Sequence, residues 1–115
     1  MGDIINESFM LYKGIKKSLK LNEFTQLNNK PIQEDSVSII ISEDYHTSLI
    51  MECKKGDHII AVNIELDREQ ITIFGGKLDS YTEDNISVEN KTFQFNEKTK
   101  ASKYFELILA KVNAY

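Results

Sequence analysis

The sequence predicts a single α+β domain over residues 1–115, with an N-terminal helix, an antiparallel β-meander of four to six strands, and a C-terminal helix packed on one sheet face. Three observations lead to this fold class. The spacing of apolar residues changes once from three and four to two, and then changes back. The links between the alternating runs are too short for parallel crossovers, which need about a dozen residues or more. A length of 115 residues and a hydrophobic fraction of 41% suit one domain with its own core.

The first element is a predicted helix over residues 4–21. Its apolar residues recur at spacings of three and four and therefore share one face; they are Ile5, Phe9, Tyr12, Ile15 and Leu19. Four lysines are assigned to the opposite, solvated face, and these are Lys13, Lys16, Lys17 and Lys20. The segment Asn28-Asn29-Lys30-Pro31 then ends this unit as a turn, because proline and asparagine interrupt regular structure.

Alternation of apolar and polar residues predicts half-buried strands in the middle of the chain. The alternating apolar sets are Val37, Ile39 and Ile41; Leu49, Met51 and Cys53; Ile60, Val62, Ile64 and Leu66; and Ile71 and Ile73. The short polar links at 43–46, 54–57 and 67–69 suit hairpin turns. Residues 75–85 are predicted to be a longer polar loop. The apolar residues of 86–95 then give one or two strands, with room for a tight hairpin around Asn90-Lys91.

Residues 98–113 are predicted to form the closing helix. Its apolar face consists of Ala101, Tyr104, Phe105, Ile108 and Val112, and its solvated lysines are Lys100, Lys103 and Lys111. One sheet and two amphipathic helices are arranged most simply with both helices on one sheet face, which leaves the other face at least partly open to solvent or to a partner. The predicted core consists of Phe9, Ile39, Ile41, Ile60, Val62, Ile64, Ile73, Phe105 and Ile108.

The charge of the chain is unevenly divided. The net charge is -4, but residues 1–30 hold five lysines and three acids, residues 31–90 hold four basic residues and thirteen acids, and residues 91–115 hold five lysines and two acids. An acidic middle between basic ends indicates what the protein associates with, because summed charge steers partners and says little about fold.

No motif of the sequence indicates catalysis, a metal site or a cofactor. Gly75-Gly76-Lys77-Leu78 lacks the spacing and the hydroxyl of a phosphate-binding loop. One cysteine and two histidines, His46 and His58, are too few for a structural zinc site. Cys53 lies on the apolar phase of its strand, which favours a buried and inert thiol. Adjacent acids such as Glu43-Asp44 are typical of solvated turns. We therefore expect no enzyme activity, no cofactor and no metal.

Composition also bears on membranes, nucleic acids and location. No stretch approaches the roughly 20 apolar residues of a membrane helix, and the N-terminus lacks the pattern of a signal peptide. Two helix faces are basic, as nucleic-acid binding would require. Against such binding, the chain is acidic overall, has one arginine, and does not interleave aromatic residues with basic ones. The sequence therefore predicts a cytoplasmic protein that binds neither membranes nor nucleic acids directly. Its oligomeric state is left open.

The acidic middle suggests a docking surface for a basic protein. In an antiparallel meander, alternate turns lie at the same end of the sheet, so the turns at 43–46 and 67–69 are expected side by side. The predicted docking residues are Glu43, Asp44, Tyr45, Asp67 and Glu69, with Asp79, Glu83 and Asp84 in the loop at the opposite end as the second choice. Carboxylates would steer the partner and the tyrosine would supply rigid contact area.

Three classes of function fit these observations. The first is a small acidic inhibitor, of the kind represented by bacterial immunity proteins that neutralise nuclease toxins, or by phage proteins that inhibit a host nucleic-acid-binding enzyme. The second is a secretion chaperone for an effector protein, which would also be small, acidic and α+β. The third is an enzyme or ligand binder whose site is assembled across the fold. The sequence favours the first class, and within it an immunity protein that occludes the active surface of a basic toxin.

Overall fold

The computed structural model describes residues 2–33, 39–41, 47–77 and 87–114. Helix α1 spans Gly2–Leu21 and helix α2 spans Lys98–Asn113, directly after a short 3-10 turn at Phe95–Glu97. Both predicted helices are confirmed. The first begins two residues before the predicted start, and the second has the predicted bounds.

Among the described residues, six strands form one antiparallel sheet. They are β1 (Thr25–Gln26), β2 (Ile39–Ile41), β3 (Thr47–Lys55), β4 (His58–Glu65), β5 (Gln70–Lys77) and β6 (Ser87–Gln94). Strands β3 to β6 form the predicted meander, and β1 and β2 pair with different parts of β3 on the edge away from β4. The fold is α+β, as the change in hydrophobic period predicts.

The core lies on one face of the sheet. Met51 pairs with Val62 and Val62 pairs with Ile73, so the buried residues of three strands share this face. Helix α2 packs against β4, β5 and β6, and α1 packs against β3. The Tyr12 hydroxyl of α1 donates a hydrogen bond of 2.9 Å to the backbone carbonyl of Ile50. This packing places the C-terminal helix on the sheet face where it was expected.

Most of the predicted core is confirmed, with one clear error. The residues found buried are Ile60, Val62, Ile64, Ile73, Phe105 and Ile108. Phe9 is half-buried against the core, and the side chains of Ile5 and Ile41, together with all of Val37, lie outside the described residues. Ile39 was predicted to be buried and is 53% exposed. Ile39 pairs with the buried Leu49 and therefore lies on the predicted face of the sheet. It is nevertheless exposed, because β2 is a three-residue strand on the outer edge of the sheet.

Lys16 is a second correction, because it does not belong to the solvated face of α1. It is only 7% exposed, whereas Lys13, Lys17 and Lys20 are exposed. Its ammonium lies 5.6 Å from the centroid of the Tyr12 ring, one helical turn earlier. A long aliphatic stem lets a lysine cover apolar surface while its charge meets an aromatic face.

The region after β5 differs from the prediction at two places. Gly75 and Gly76, predicted to begin a loop, belong to β5, which continues to Lys77. Residues 87–94 form one continuous strand, so no hairpin occurs around Asn90-Lys91. The short strand β1 was not predicted, because two residues are too few to show alternation; it pairs with Lys54 and Cys53.

Candidate functional site

The turn between β4 and β5 carries the described part of the predicted docking surface. We call residues 66–69 the acidic turn. Asp67 and Glu69 are both exposed there, as the sequence indicated. Glu69 adopts a left-handed backbone conformation with φ of 55°, and its carbonyl accepts a hydrogen bond of 2.9 Å from the backbone N–H of Phe95. The acidic turn is therefore fixed against the segment that leads into α2.

The remaining predicted docking residues lie outside the described part of the chain. These are Glu43, Asp44, Tyr45, Asp79, Glu83 and Asp84. The described residues that flank the first group are informative: Ile41 pairs with Thr47, and the Thr47 carbonyl accepts a hydrogen bond of 2.9 Å from the N–H of Leu66. The flanks of 42–46 thus lie beside the acidic turn. Lys77, which precedes the second group, pairs with His58 at the opposite end of the sheet.

Several acids near the acidic turn are already paired with cations. The pairs are Glu65 with Arg68 at 3.4 Å, Glu97 with Lys100 at 3.5 Å, and Glu7 with Lys98. The pKa of Glu97 is lowered, first because its carboxylate accepts a hydrogen bond from the Gln94 backbone N–H and further because Lys100 lies near. Glu69 differs from this group, because its carboxylate forms no ion pair with any residue of the described ranges.

A cleft of about 380 Å³ opens beside Glu69. Its lining includes Glu7 of α1, Glu69 of the acidic turn, Phe95, and Lys98 and Thr99 of α2. Lys98 neutralises Glu7, so Glu69 supplies the carboxylate that remains for an incoming group. Phe95 is only 7% exposed, so the polar character of the cleft comes from its charged side chains, and an unpaired carboxylate suits the guanidinium or ammonium end of a basic side chain. Sequence reasoning missed Glu7, Phe95 and Lys98, because residues this far apart in the chain show no common pattern.

A second, larger cleft of about 500 Å³ lies at the other end of the sheet. Its lining combines the apolar side chains of Ile108 and Val112 with the polar groups of His58, Lys77 and Glu89. Lys111 also borders the cleft and donates hydrogen bonds of 3.1 and 3.0 Å to the two carboxylate oxygens of Glu89. The rim of this cleft therefore carries both positive and negative side chains, and Glu89 is already bound to Lys111. The charges of the rim do not indicate a particular class of ligand.

The groups that could support catalysis were also located. Burial raises the pKa of the Cys53 thiol to about 11, and Glu52 adds to this rise while Lys16 opposes it. The thiol is therefore protonated at neutral pH, and thiols react as nucleophiles through the thiolate. His46 lies outside the described residues. Within the ranges that the structure describes, no three His, Cys, Asp or Glu residues are grouped to hold a metal ion.

Comparisons with protein-family models, with curated proteins and with solved structures found no match for this chain. In the described part of the chain, no helix is both long and apolar enough to cross a membrane.

Proposed function

We propose that this protein is a small acidic inhibitor that binds a basic protein, in the manner of an immunity protein that occludes the active surface of a nuclease-type toxin. The acidic turn and its neighbouring cleft form the docking surface in this proposal. The partner is a protein that uses lysine and arginine side chains to hold phosphate groups. Carboxylates of the inhibitor occupy those side chains in place of nucleic acid.

The observation that carries the proposal is the position of Glu69. Glu69 lines the cleft of about 380 Å³, and its carboxylate has no ion-pair partner among the described residues, while the neighbouring Glu7 is held by Lys98. An arginine from a partner could enter the cleft and pair with Glu69. Arginine is well suited to such a site because its planar guanidinium can form two hydrogen bonds to one carboxylate.

The charge distribution supports the same surface. The middle of the sequence holds thirteen acids and four basic residues, and Asp67 and Glu69 project from it on an exposed turn. Complementary charges accelerate association and reject partners of like charge. The flanks of residues 42–46 lie next to the acidic turn, so Glu43, Asp44 and Tyr45 remain part of the proposed surface.

We further propose that the protein is not an enzyme and acts in the cytoplasm. The raised pKa of Cys53 supports the first point, since the thiol of the chain's single cysteine is not an activated nucleophile. A free cysteine is also compatible with a reducing compartment.

Affinity capture tests the proposal. The parent chain is immobilised, exposed to a lysate of the cells that carry its gene, and the bound proteins are identified by mass spectrometry. The variant Asp67→Lys/Glu69→Lys is compared with the control Asp57→Lys/Glu106→Lys, which changes the net charge equally at exposed positions away from the acidic turn.

We expect the parent and the control to capture one basic nucleic-acid-processing protein that the acidic-turn variant does not retain. Capture of a secreted effector would instead indicate a chaperone. Capture of the same basic protein by all three chains would place the interface elsewhere.

A further inference from the structure

Strand β6 forms one edge of the sheet in the described part of the chain. It pairs with β5 on one side and ends the strand order, so no strand of the described residues pairs with its other side. Residues 89–92 in the middle of the strand are all exposed. An open edge offers unpaired N–H and C=O groups to another strand, which natural proteins either protect or use.

The hydrogen-bond phase shows which backbone groups of β6 point outwards. The Phe95 N–H donates to the Glu69 carbonyl, one step beyond the pair of Gln70 with Gln94. Because bonded and non-bonded pairs alternate between antiparallel strands, odd-numbered residues of β6 bond to β5 and even-numbered residues face outwards. The Gln94 N–H agrees with this phase, since it turns outwards to the Glu97 carboxylate at 3.1 Å. The outward backbone groups of β6 that have no hydrogen-bond partner among the described residues belong to Val88, Asn90 and Thr92.

We propose that β6 pairs with β6 of a second copy of this chain, antiparallel and about a two-fold axis at Asn90. In this register Asn90 bonds to Asn90 of the second copy, and Val88 bonds to its Thr92. All the outward N–H and C=O groups of these residues then find partners. The two-fold axis is perpendicular to the sheet, so the sheet continues across the dimer with all four helices on one side.

Charge selects this register over its neighbours. Glu89 and Lys91 lie on the helix side of β6, and the register at Asn90 sets Glu89 opposite Lys91 of the second copy twice. Lys91 of the second copy would then join Lys111 of the same chain, which already donates two hydrogen bonds to the exposed Glu89 carboxylate. If the two-fold axis moves from Asn90 to Lys91, Lys91 lies opposite Lys91 of the second copy. If it moves to Glu89, Glu89 lies opposite Glu89. Like charges directly opposite each other are destabilising in a sheet, and opposite charges are stabilising. The short interface predicts a weak dimer that dissociates on dilution. This proposal does not rest on the inhibitor function.

Two charge reversals and their mixture test the proposal. Sedimentation velocity from micromolar to millimolar concentration is expected to show a reversible dimer for the parent chain. Glu89→Lys places lysines opposite each other, and Lys91→Glu places glutamates opposite each other, so each variant alone is expected to remain monomeric. An equimolar mixture of the two restores both opposite-charge pairs, and the dimer is expected to return as a heterodimer. Recovery in the mixture shows that both variants are folded.

A backbone variant and a matched control complete the experiment. Asn90→Pro removes an outward N–H without removing a bond to β5, and it is expected to abolish the dimer. Lys103→Glu reverses an exposed charge on α2 and is expected to leave the dimer intact. A parent chain that stays monomeric at every concentration would overturn the proposal. So would a dimer that survives both single charge reversals, or a mixture that stays monomeric while circular dichroism shows both variants folded.

Discussion

The Cγ2 atom of Ile108 lies 2.5 Å from the position that a Cβ atom on Gly75 would occupy. Gly75 is buried in β5 opposite Ile60, and Ile108 belongs to the buried face of α2. The missing side chain lets the helix approach the strand at this point. Gly75 therefore serves packing between helix and sheet, and it is a strand residue with no need for a turn conformation.

Gly75→Ala is expected to destabilise the protein by about 1–3 kcal/mol, the usual cost of overpacking a core. The side chain of Ile108 cannot move aside at low cost. The nearest atom, Cγ2, is bonded directly to Cβ, and a β-branched side chain has few χ1 rotamers available. Urea unfolding monitored by circular dichroism measures the change. Gly14→Ala is the control: nothing lies within 4 Å of its added methyl group, and alanine is favoured over glycine in a helix by about 1 kcal/mol. Equal stabilisation by both substitutions would contradict this packing.

Ile64→Ala and Ile39→Ala compare a core position with an edge position of the same residue type. Ile64 is fully buried, so its truncation is expected to cost about 2–5 kcal/mol in free energy of unfolding. Ile39 is 53% exposed, and its truncation is expected to change stability by less than about 0.5 kcal/mol. Chemical denaturation of the two variants side by side is the measurement. A larger loss at Ile39 than at Ile64 would mean that the burial pattern is wrong.

Tyr12→Phe is expected to cost about 1 kcal/mol, the typical net value of one hydrogen bond. The substitution removes the hydroxyl that donates to the Ile50 carbonyl and links α1 to β3. Tyr104→Phe is the control, because Tyr104 is half-buried and its hydroxyl has no hydrogen-bond partner among the described residues. Thermal unfolding of both variants measures the difference, and identical midpoints for the two would show that this bond contributes nothing.

Cys53 is expected to react slowly with a disulfide reagent in the folded protein and fast after unfolding. With a pKa of about 11, the folded thiol is about one part in a thousand thiolate at pH 8. The unfolded chain loses this proton at lower pH, so the free energy of unfolding should fall as pH rises from the ordinary thiol pKa towards 11. Cys53→Ala should lack this part of the pH dependence. Fast labelling of the folded parent would show that the thiol is accessible and ionised.

The sequence predicted the elements of the fold well because periodicity is a local signal. The helix of residues 98–113 and the strands around Val62 and Ile73 each repeat their apolar residues with one clear period. Gly75 was misplaced in a loop because the residue that explains it, Ile108, is 33 positions away. Ile39 was misjudged for a related reason: alternation gives the face of a residue, but only the sheet order shows that its strand is an outer one.

The candidate site could be predicted from the sequence only where it lies in a turn. Asp67 and Glu69 could be identified because exposed acids between two alternating runs mark a hairpin. The cleft beside Glu69 could not, since Glu7, Phe95 and Lys98 converge from three elements. The burial of Lys16 was equally hidden, because the sequence pattern does not show that the Lys16 ammonium lies over the Tyr12 ring.

We propose that the acidic turn steers a basic protein towards this chain. The rate of association between the captured basic protein and the parent, measured by stopped flow at two salt concentrations, tests this steering. Salt at about 0.15 M screens exposed charges beyond about 8 Å, so the parent is expected to associate more slowly as salt rises.

The same measurement is made on Asp67→Lys/Glu69→Lys, on a quadruple variant that also reverses Glu43 and Asp44, and on the control Asp57→Lys/Glu106→Lys. At low salt we expect the double variant to associate at least about tenfold more slowly than the parent, the quadruple variant more slowly still, and the control close to the parent rate. The salt dependence should weaken in the same order. Folded double and quadruple variants that bind as fast and as tightly as the parent, with the same response to salt, would show that the acidic turn does not steer the partner.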